Sequence, residues 1–197
     1  KKFNESSPML PNSPYAASKA AGDLLVRSYV RTYRLPGIIS HSVNNFGPRQ
    51  FPEKLIPFFT ARALQGKQLP LYGNGKNIRE WVHVDDHTRA ILTILEKGEV
   101  GASYGISSEE SASNIEIAKR ILKIVGRSQN LVTFVADRPG HDRRYAIDAS
   151  LLRSLGWKPL HSLDKGLRET IAWYKGNKNW IYSTVEKNRV NQHIHLQ

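Results

Sequence analysis

Short runs of β-branched and aromatic residues alternate with stretches of helical period along most of this chain, which points to an α/β architecture with parallel strands. The clearest helical stretch covers residues 14–33, where Ala17, Ala20, Ala21, Leu24, Leu25 and Ser28 recur at three- and four-residue steps. Ser13 suits its N-cap and Pro14 its first turn, and Leu35-Pro36-Gly37 breaks it. Residues 38–43 read as a buried strand. Residues 44–48 read as a loop at that strand's C-terminal end, where open α/β sheets bind ligands.

The alternation continues. A helix is expected over 55–64, closed by Gly66, then a strand over 69–72, a Gly73-Asn74-Gly75 turn and a strand over 78–84. Asp85 is expected to cap a helix running to Glu96 and stopped by Gly98. After a strand over 103–106, Ser113-Asn114-Ile115-Glu116 forms a capping box for a helix to Val125. A strand over 132–135, a charged loop over 137–144 and helices over 150–155 and 163–174 follow. Residues 181–197 read as a polar tail.

The composition restricts the chemistry. The chain has no cysteine, so disulfides, thiolate nucleophiles and cysteine metal sites are excluded, and a cytoplasmic setting is expected. No apolar stretch reaches the length of a membrane span, and no membrane partner is expected. The first residues lack the apolar core of a signal peptide, the only methionine is Met9, and the chain reads as cut from something longer. A net charge of +12 favours anionic ligands. Its Lys and Arg are scattered rather than clustered in a stripe, so a phosphorylated metabolite is expected and nucleic acid is not. His83 and His87 straddle the turn at Asp85, and no metal site is expected there.

Tyr15 and Lys19 stand four apart near the start of the first helix and so share a face. A lysine ammonium beside a tyrosine favours the phenolate, which can take a proton from a sugar hydroxyl. Two further Tyr/Lys pairs share the spacing. Tyr72/Lys76 spans a glycine turn and Tyr174/Lys178 lies at a helix end, whereas Tyr15 sits among small residues in Ser13-Pro14-Tyr15-Ala16-Ala17-Ser18-Lys19-Ala20-Ala21.

That run is similar to the Tyr-x-x-x-Lys helix of extended short-chain dehydrogenases. The motifs Asn44-Asn45-Phe46-Gly47-Pro48, Phe51-Pro52-Glu53-Lys54-Leu55-Ile56-Pro57, Leu69-Pro70-Leu71-Tyr72-Gly73-Asn74-Gly75, Ile78-Arg79-Glu80-Trp81 and the stretch 136–145 come in the order found in dTDP-glucose 4,6-dehydratases, which the chain resembles over about residues 3–180. The resemblance implies a partial Rossmann-like parallel sheet plus a smaller α/β substrate-binding domain. It implies NAD as cofactor, Tyr15 as catalytic base, Lys19 on the nicotinamide ribose and Asn45 against NAD. It places Asn44, Lys54, Leu55, Pro70, Tyr72, Arg79, Asn114, Arg138 and His141 around a nucleotide-sugar. On this reading residues 1–45 and 81–101 are a remnant of the NAD-binding domain, and 46–80 and 102–180 form the nucleotide-sugar domain.

The family's glycine-rich fingerprint and its Thr-Asp-Glu set lie upstream of the tyrosine and have no counterpart in this sequence, so an N-terminal half is expected as missing partner and the chain is expected to be inactive alone. A homodimer is expected of the complete protein. Val43 stands where the family has Ser, Phe46 where it has Tyr, and residues 104–108 depart from its usual Asn and Gly pair. An epimerase or decarboxylase of the same family, or a non-catalytic anion-binding module, are the alternatives.

Overall fold

A computed structural model of the chain describes residues 2–137 and 144–187. The chain is α/β and divides into two compact units. The first comprises residues 1–45, 80–110 and 145–160, and the second residues 46–79, 111–144 and 161–197.

The first unit is built on β1 (Ile39–Ser42) and β5 (Ser103–Ile106), paired in parallel from Ile39 opposite Ser103 to Ser42 opposite Ile106. Parallel neighbours need a crossover, and α3 (Val84–Lys97) leads into β5. Its Asp86, Ala90 and Ile94 recur every four residues and are buried. Ala90, Ile94, Tyr104, Ile106, Ala149, Leu152 and Trp157 form the main core, the last three from α5 (Ser150–Ser154) and its flanks. β5 and residues 145–160 therefore belong with β1, not with the second unit as the sequence suggested, because strand pairing and this core tie them there.

Helix α1 (Pro14–Tyr33) runs over the expected span. Ser13 Oγ accepts from Ala16 N, and Arg34 ends the helix in the left-handed region. It buries no residue: Leu24 and Leu25 are each 60% exposed and Tyr33 71%. β1 is less buried than expected, with Ser40 exposed and His41 and Ser42 half-buried. Residues 44–46 form a short strand, β2 (Asn44–Phe46), rather than opening directly into a loop; its last side chain, Phe46, is fully buried. Asp85 does not cap α3. His83 does, its Nδ1 accepting from Asp85 N, while Asp85 and Asp86 occupy the first turn where carboxylates suit the helix dipole.

The second unit carries β3 (Leu69–Tyr72) parallel to β7 (Val132–Val135), with helices α2 (Leu55–Leu64), α4 (Asn114–Val125) and α6 (Leu163–Gly176) packed on one another. The capping box at Ser113 and Glu116 forms as expected: Ser113 N donates to the Glu116 carboxylate at 2.7 Å, and those bonds hold its pKa below the ordinary carboxylate value. Strand β4 (Ile78–His83) passes from this unit into the first between Arg79 and Glu80. Two short strands are new to the sequence reading, β6 (Ser111–Ser113) and β8 (Arg144–Tyr145).

The expected polar tail begins as a helix. In α7 (Lys178–Lys187) Ile181 is fully buried against Ala61 and Tyr174, and Trp180 meets Trp173 edge-on at 5.3 Å. Burial of that apolar face outweighs the polar composition. Residues 188–197 lie outside the described residues.

Tyr174 anchors this end of the unit. Its side chain is fully buried and its hydroxyl donates to Gln50 O at 2.9 Å. Burial pushes the phenol well above its ordinary 10.0, so the unfolded chain releases that proton first as pH rises. The stability it confers is therefore complete below about pH 10 and lost above it. Tyr174→Phe should cost about 1 kcal/mol at neutral pH by urea titration. The gap in midpoint between variant and parent should narrow as pH passes 10.0. A gap that widens there would contradict this assignment.

Candidate functional site

In the first unit, Tyr15 and Lys19 occupy the opening turns of α1, where a phenol and an ammonium four residues apart point from one side of the helix. Tyr15 is 75% exposed, so no low-dielectric wall strengthens their coupling in this chain. Ser18 Oγ donates back to Tyr15 O at 2.8 Å and holds the first turn. On the inner side, Ala16 and Ala20 roof a cavity of about 260 Å³ whose walls include Phe3, Met9, Asp23 and His41. Asn44 and Asn45 follow β1 after the single residue Val43 and are half-buried on β2.

A buried carboxylate that sequence reasoning did not single out also lies in this unit. Glu80 is 2% exposed and accepts from Ser107 Oγ at 2.5 Å and Ile147 N at 3.2 Å. The available signal was an acid at an inward register position of β4. Ser107 falls in the stretch 104–108 that departs from the family pattern, and the bond to Glu80 accounts for a hydroxyl there. Gly105 in the same stretch has no room for a side chain, since a Cβ would meet Ile147 Cγ2 at 2.6 Å.

In the second unit, the turn 73–75 gathers several expected residues. Tyr72, half-buried, ends β3 immediately before it. Gly75 O accepts from Ile115 N at 3.0 Å and Asn77 O from Asn114 N at 3.1 Å, which fixes the turn against the start of α4. Asn114 is buried at that helix start. Arg79 follows two residues after Asn77 and donates from Nη1 to Ile78 O at 2.8 Å. Tyr72 and Asn114 therefore flank one turn, and Arg79 lies near the start of the strand that follows it. Gly73 and Gly75 both adopt positive φ, and a Cβ on Gly75 would meet Ile115 Cβ at 3.1 Å.

Pro70 is buried within β3, two residues before Tyr72. Leu55 begins α2 and Lys54 is its N-cap residue, without a side-chain cap bond. The Lys54 ammonium lies 2.6 Å from the Glu53 carboxylate; both are largely exposed, so the pair contributes little and leaves the ammonium available. Arg138 and His141 lie outside the described residues. No helix among the described residues is long and apolar enough to cross a membrane.

Residues 1–170 match the family model described as GDP-mannose 4,6 dehydratase. The chain is 50% identical over 188 residues to a dTDP-glucose 4,6-dehydratase of Neisseria gonorrhoeae, a match covering 89% of this chain and 54% of that protein. The structure is similar to a crystal structure of the dTDP-glucose 4,6-dehydratase of Streptomyces venezuelae with NAD and TYD bound, at a TM-score of 0.91 and 46% identity, over 93% of this chain and 57% of that one. It is also similar to a UDP-glucose 4-epimerase of Thermotoga maritima with UDP-glucose, at a TM-score of 0.85 and 28% identity, over 89% of this chain and 58% of that one. The chain thus spans about half the length of the curated relatives it matches.

The turn that holds Tyr72 and Asn114 gives a direct test. Gly75→Ala forces a positive φ on a residue with a Cβ and presses it on Ile115, and should lower stability by about 1–2 kcal/mol. Gly66→Ala, at a similar φ but with nothing near its Cβ, should cost less. Equal losses by thermal unfolding would show that the contact with α4 does not constrain the turn.

Proposed function

We propose, for a chain that belongs to the GDP-mannose 4,6 dehydratase family, that it is the part of an NAD-dependent dTDP-glucose 4,6-dehydratase that carries the Tyr-Lys helix and most of the nucleotide-sugar site. The supporting observation is the 50% identity to a dTDP-glucose 4,6-dehydratase over 188 residues, against 28% to a UDP-glucose 4-epimerase of similar structure. The product would be dTDP-4-keto-6-deoxyglucose, and the role one in deoxysugar biosynthesis in the cytoplasm. Assembly as a homodimer is part of the same reading for the complete polypeptide.

The residues present fit one end of the cofactor. Tyr15, Lys19 and Asn45 offer a phenol, an ammonium and an amide, all able to donate to ribose hydroxyls and the nicotinamide. A cofactor diphosphate calls for a glycine-rich turn from strand into helix, and the Gly73-Asn74-Gly75 turn leads into a strand instead. When bound, NAD would supply a hydride acceptor for the oxidation of the sugar and the hydride for the later reduction. Tyr15 takes the proton of the sugar hydroxyl, and the Lys19 ammonium favours the phenolate that does so. Asn44 orients the sugar. Lys54, Leu55, Pro70, Tyr72, Arg79 and Asn114, with Arg138 and His141, enclose the nucleotide and its diphosphate; the Arg guanidinium suits phosphate through paired donors. Loss of water from the sugar needs a further acid and base, which this reading assigns to the remaining length of the polypeptide. The uncovered Leu24, Leu25 and Tyr33 of α1 support such a remainder, since apolar helix surface of this kind is ordinarily packed.

The 197-residue chain alone should therefore not turn over dTDP-glucose. Unpositioned reactants forgo on the order of 7–11 kcal/mol of barrier lowering, which is at least about five orders of magnitude in rate. Incubation with NAD and dTDP-glucose, followed by assay of the keto-sugar, checks this. Activity should return when the remaining length is supplied and vanish again with Tyr15→Phe. Turnover by the chain alone at the rate of a full-length relative would overturn the reading.

A further inference from the structure

We infer that Tyr174 and Trp173 of α6 are positioning residues for nucleotide binding: they hold the loop of residues 47–54, and with it Lys54 and Leu55. The inference rests on the reading that assigns Lys54 and Leu55 to the nucleotide. Tyr174 Oη donates to Gln50 O at 2.9 Å and lies 3.4 Å from Gly47 O. The Arg49 guanidinium sits over the Trp173 ring, 5.5 Å from its centroid. Two adjacent side chains of one helix therefore grip the loop at Gly47, Arg49 and Gln50.

This grip matters because the loop has little else to set its course. Residues 47–54 join β2 to α2 without helix or strand of their own. Arg49, Phe51, Glu53 and Lys54 are exposed, and only Gly47 and Pro52 of this stretch are buried. Arg49 also holds φ at 63°, a left-handed conformation that a long side chain keeps only where its surroundings compensate. The hydroxyl bond on one side of it and the stack on Trp173 supply that compensation. From Gln50 the path to the ammonium is short: Phe51 O accepts from Lys54 N at 3.2 Å, and Phe58 N donates to Lys54 O at 3.0 Å as α2 begins.

The support behind the grip is rigid. Tyr174 is fully buried, Trp173 meets it edge-on at 5.1 Å and meets Trp180 of α7 edge-on at 5.3 Å. Ile181 of α7 is buried against Tyr174 and against Ala61 of α2, the helix that Leu55 begins. Loop and helix start thus rest on one aromatic cluster. Every member of it belongs to the second unit, and the Tyr174 side chain is already enclosed there, so the tie does not wait on further length of polypeptide. Its chemical consequence is specific. The nucleotide lies apart from the sugar carbons that react, so contacts to it are made equally in ground and transition states. Their loss raises KM and leaves kcat in place.

The test uses the polypeptide that joins this segment to the remaining length its relatives have, with thymidine diphosphate, NAD and dTDP-glucose as probes. Tyr174→Phe removes only the hydroxyl. It should raise the Kd for thymidine diphosphate and the KM for dTDP-glucose about 5-fold, the scale of one hydrogen bond. The kcat and the Kd for NAD should stay within about 2-fold. Arg49→Asn, which suits the left-handed φ but removes the stack, should raise the Kd for thymidine diphosphate about 3-fold, and Trp173→Leu should do the same. The Arg49→Asn and Trp173→Leu double variant should fall no further, since both remove one interaction. Leu122→Ala deletes a fully buried side chain toward the far end of α4 from Asn114. It should lower the unfolding temperature more than Tyr174→Phe does and leave the Kd for thymidine diphosphate within about 2-fold, which separates placement from stability. Where Tyr174→Phe loses its near-ultraviolet circular dichroism, Arg49→Asn on the exposed loop carries the test. An unchanged Kd in Tyr174→Phe overturns the proposal, as does an equal weakening in Leu122→Ala or an equal loss of NAD binding. Weakening in Arg49→Asn without weakening in Trp173→Leu means that the guanidinium meets the nucleotide itself, and overturns the stacking tie. An unchanged Kd in Lys54→Met overturns the placing of this loop at the nucleotide and the proposal with it. A weakened Lys54→Met beside an unchanged Tyr174→Phe overturns the positioning role alone.

Discussion

The parallel pairing of β1 with β5 is the contact on which the first unit depends. Parallel strands are not joined by a tight turn, so the chain must leave β1 and return through a crossover before β5 can lie beside it. That requirement brings α3 under the sheet and collects Tyr104, Ile106, Ala149, Leu152 and Trp157 into one core. It also fixes the C-terminal end of β1, where Val43 N donates to Ile106 O at 3.1 Å and the Asn44-Asn45 pair begins. Every residue assigned to the cofactor side stands within a few positions of this pairing or on the helix tied to it.

Parallel sheets are ordinarily covered on both faces, and this pair is not. Among the described residues β1 and β5 form a two-stranded sheet, Ser40 of β1 is exposed, and α1 spans a cavity. The same surfaces explain one departure from what the sequence implied: residues 38–43 were expected to form a buried strand, and part of that strand is exposed. Burial needs a partner surface, and in a chain spanning about half the length of its relatives part of that surface is not contributed by these residues. Local pattern read the elements correctly and could not read their cover.

Where a local signal was self-sufficient, it was legible. The Ser113 to Glu116 capping box, the helix bounds at Pro14 and Tyr33, the Gly73 and Gly75 turn and the strands 69–72, 103–106 and 132–135 all follow from residues in contact with their own neighbours in sequence. What escaped depends on residues far away. His83 caps α3 through a ring nitrogen, an acceptor that the usual Ser, Thr, Asp and Asn roster omits. Ile181 turns polar-looking sequence into a helix because Ala61 and Tyr174 receive it. Glu80 is tolerable in a core because Ser107 and the Ile147 amide meet its carboxylate, and neither partner is near it in sequence. The candidate site divides in the same way. Tyr15 and Lys19 were visible as a spaced pair on one helix. The grouping of Tyr72 and Asn114 around one turn became visible only with the bonds from Ile115 to Gly75 and from Asn114 to Asn77.

This division of labour bears on how such a site tolerates change. Around the second-unit turn, position is set by backbone hydrogen bonds and by glycines whose φ values no other residue adopts cheaply. Substitution elsewhere in that unit leaves the turn's shape intact as long as α4 keeps its place. Around Tyr15, α1 is placed by mixed contacts: Val26 and Val30 lie half-buried against the backbone at Gly37 and Gly101, while Asp23 and Arg27 bond to His41 and Ser103. Close packing on glycine leaves no room for a larger side chain, and a directed N–H to oxygen bond weakens steeply with angle, so the helix depends on both kinds of contact.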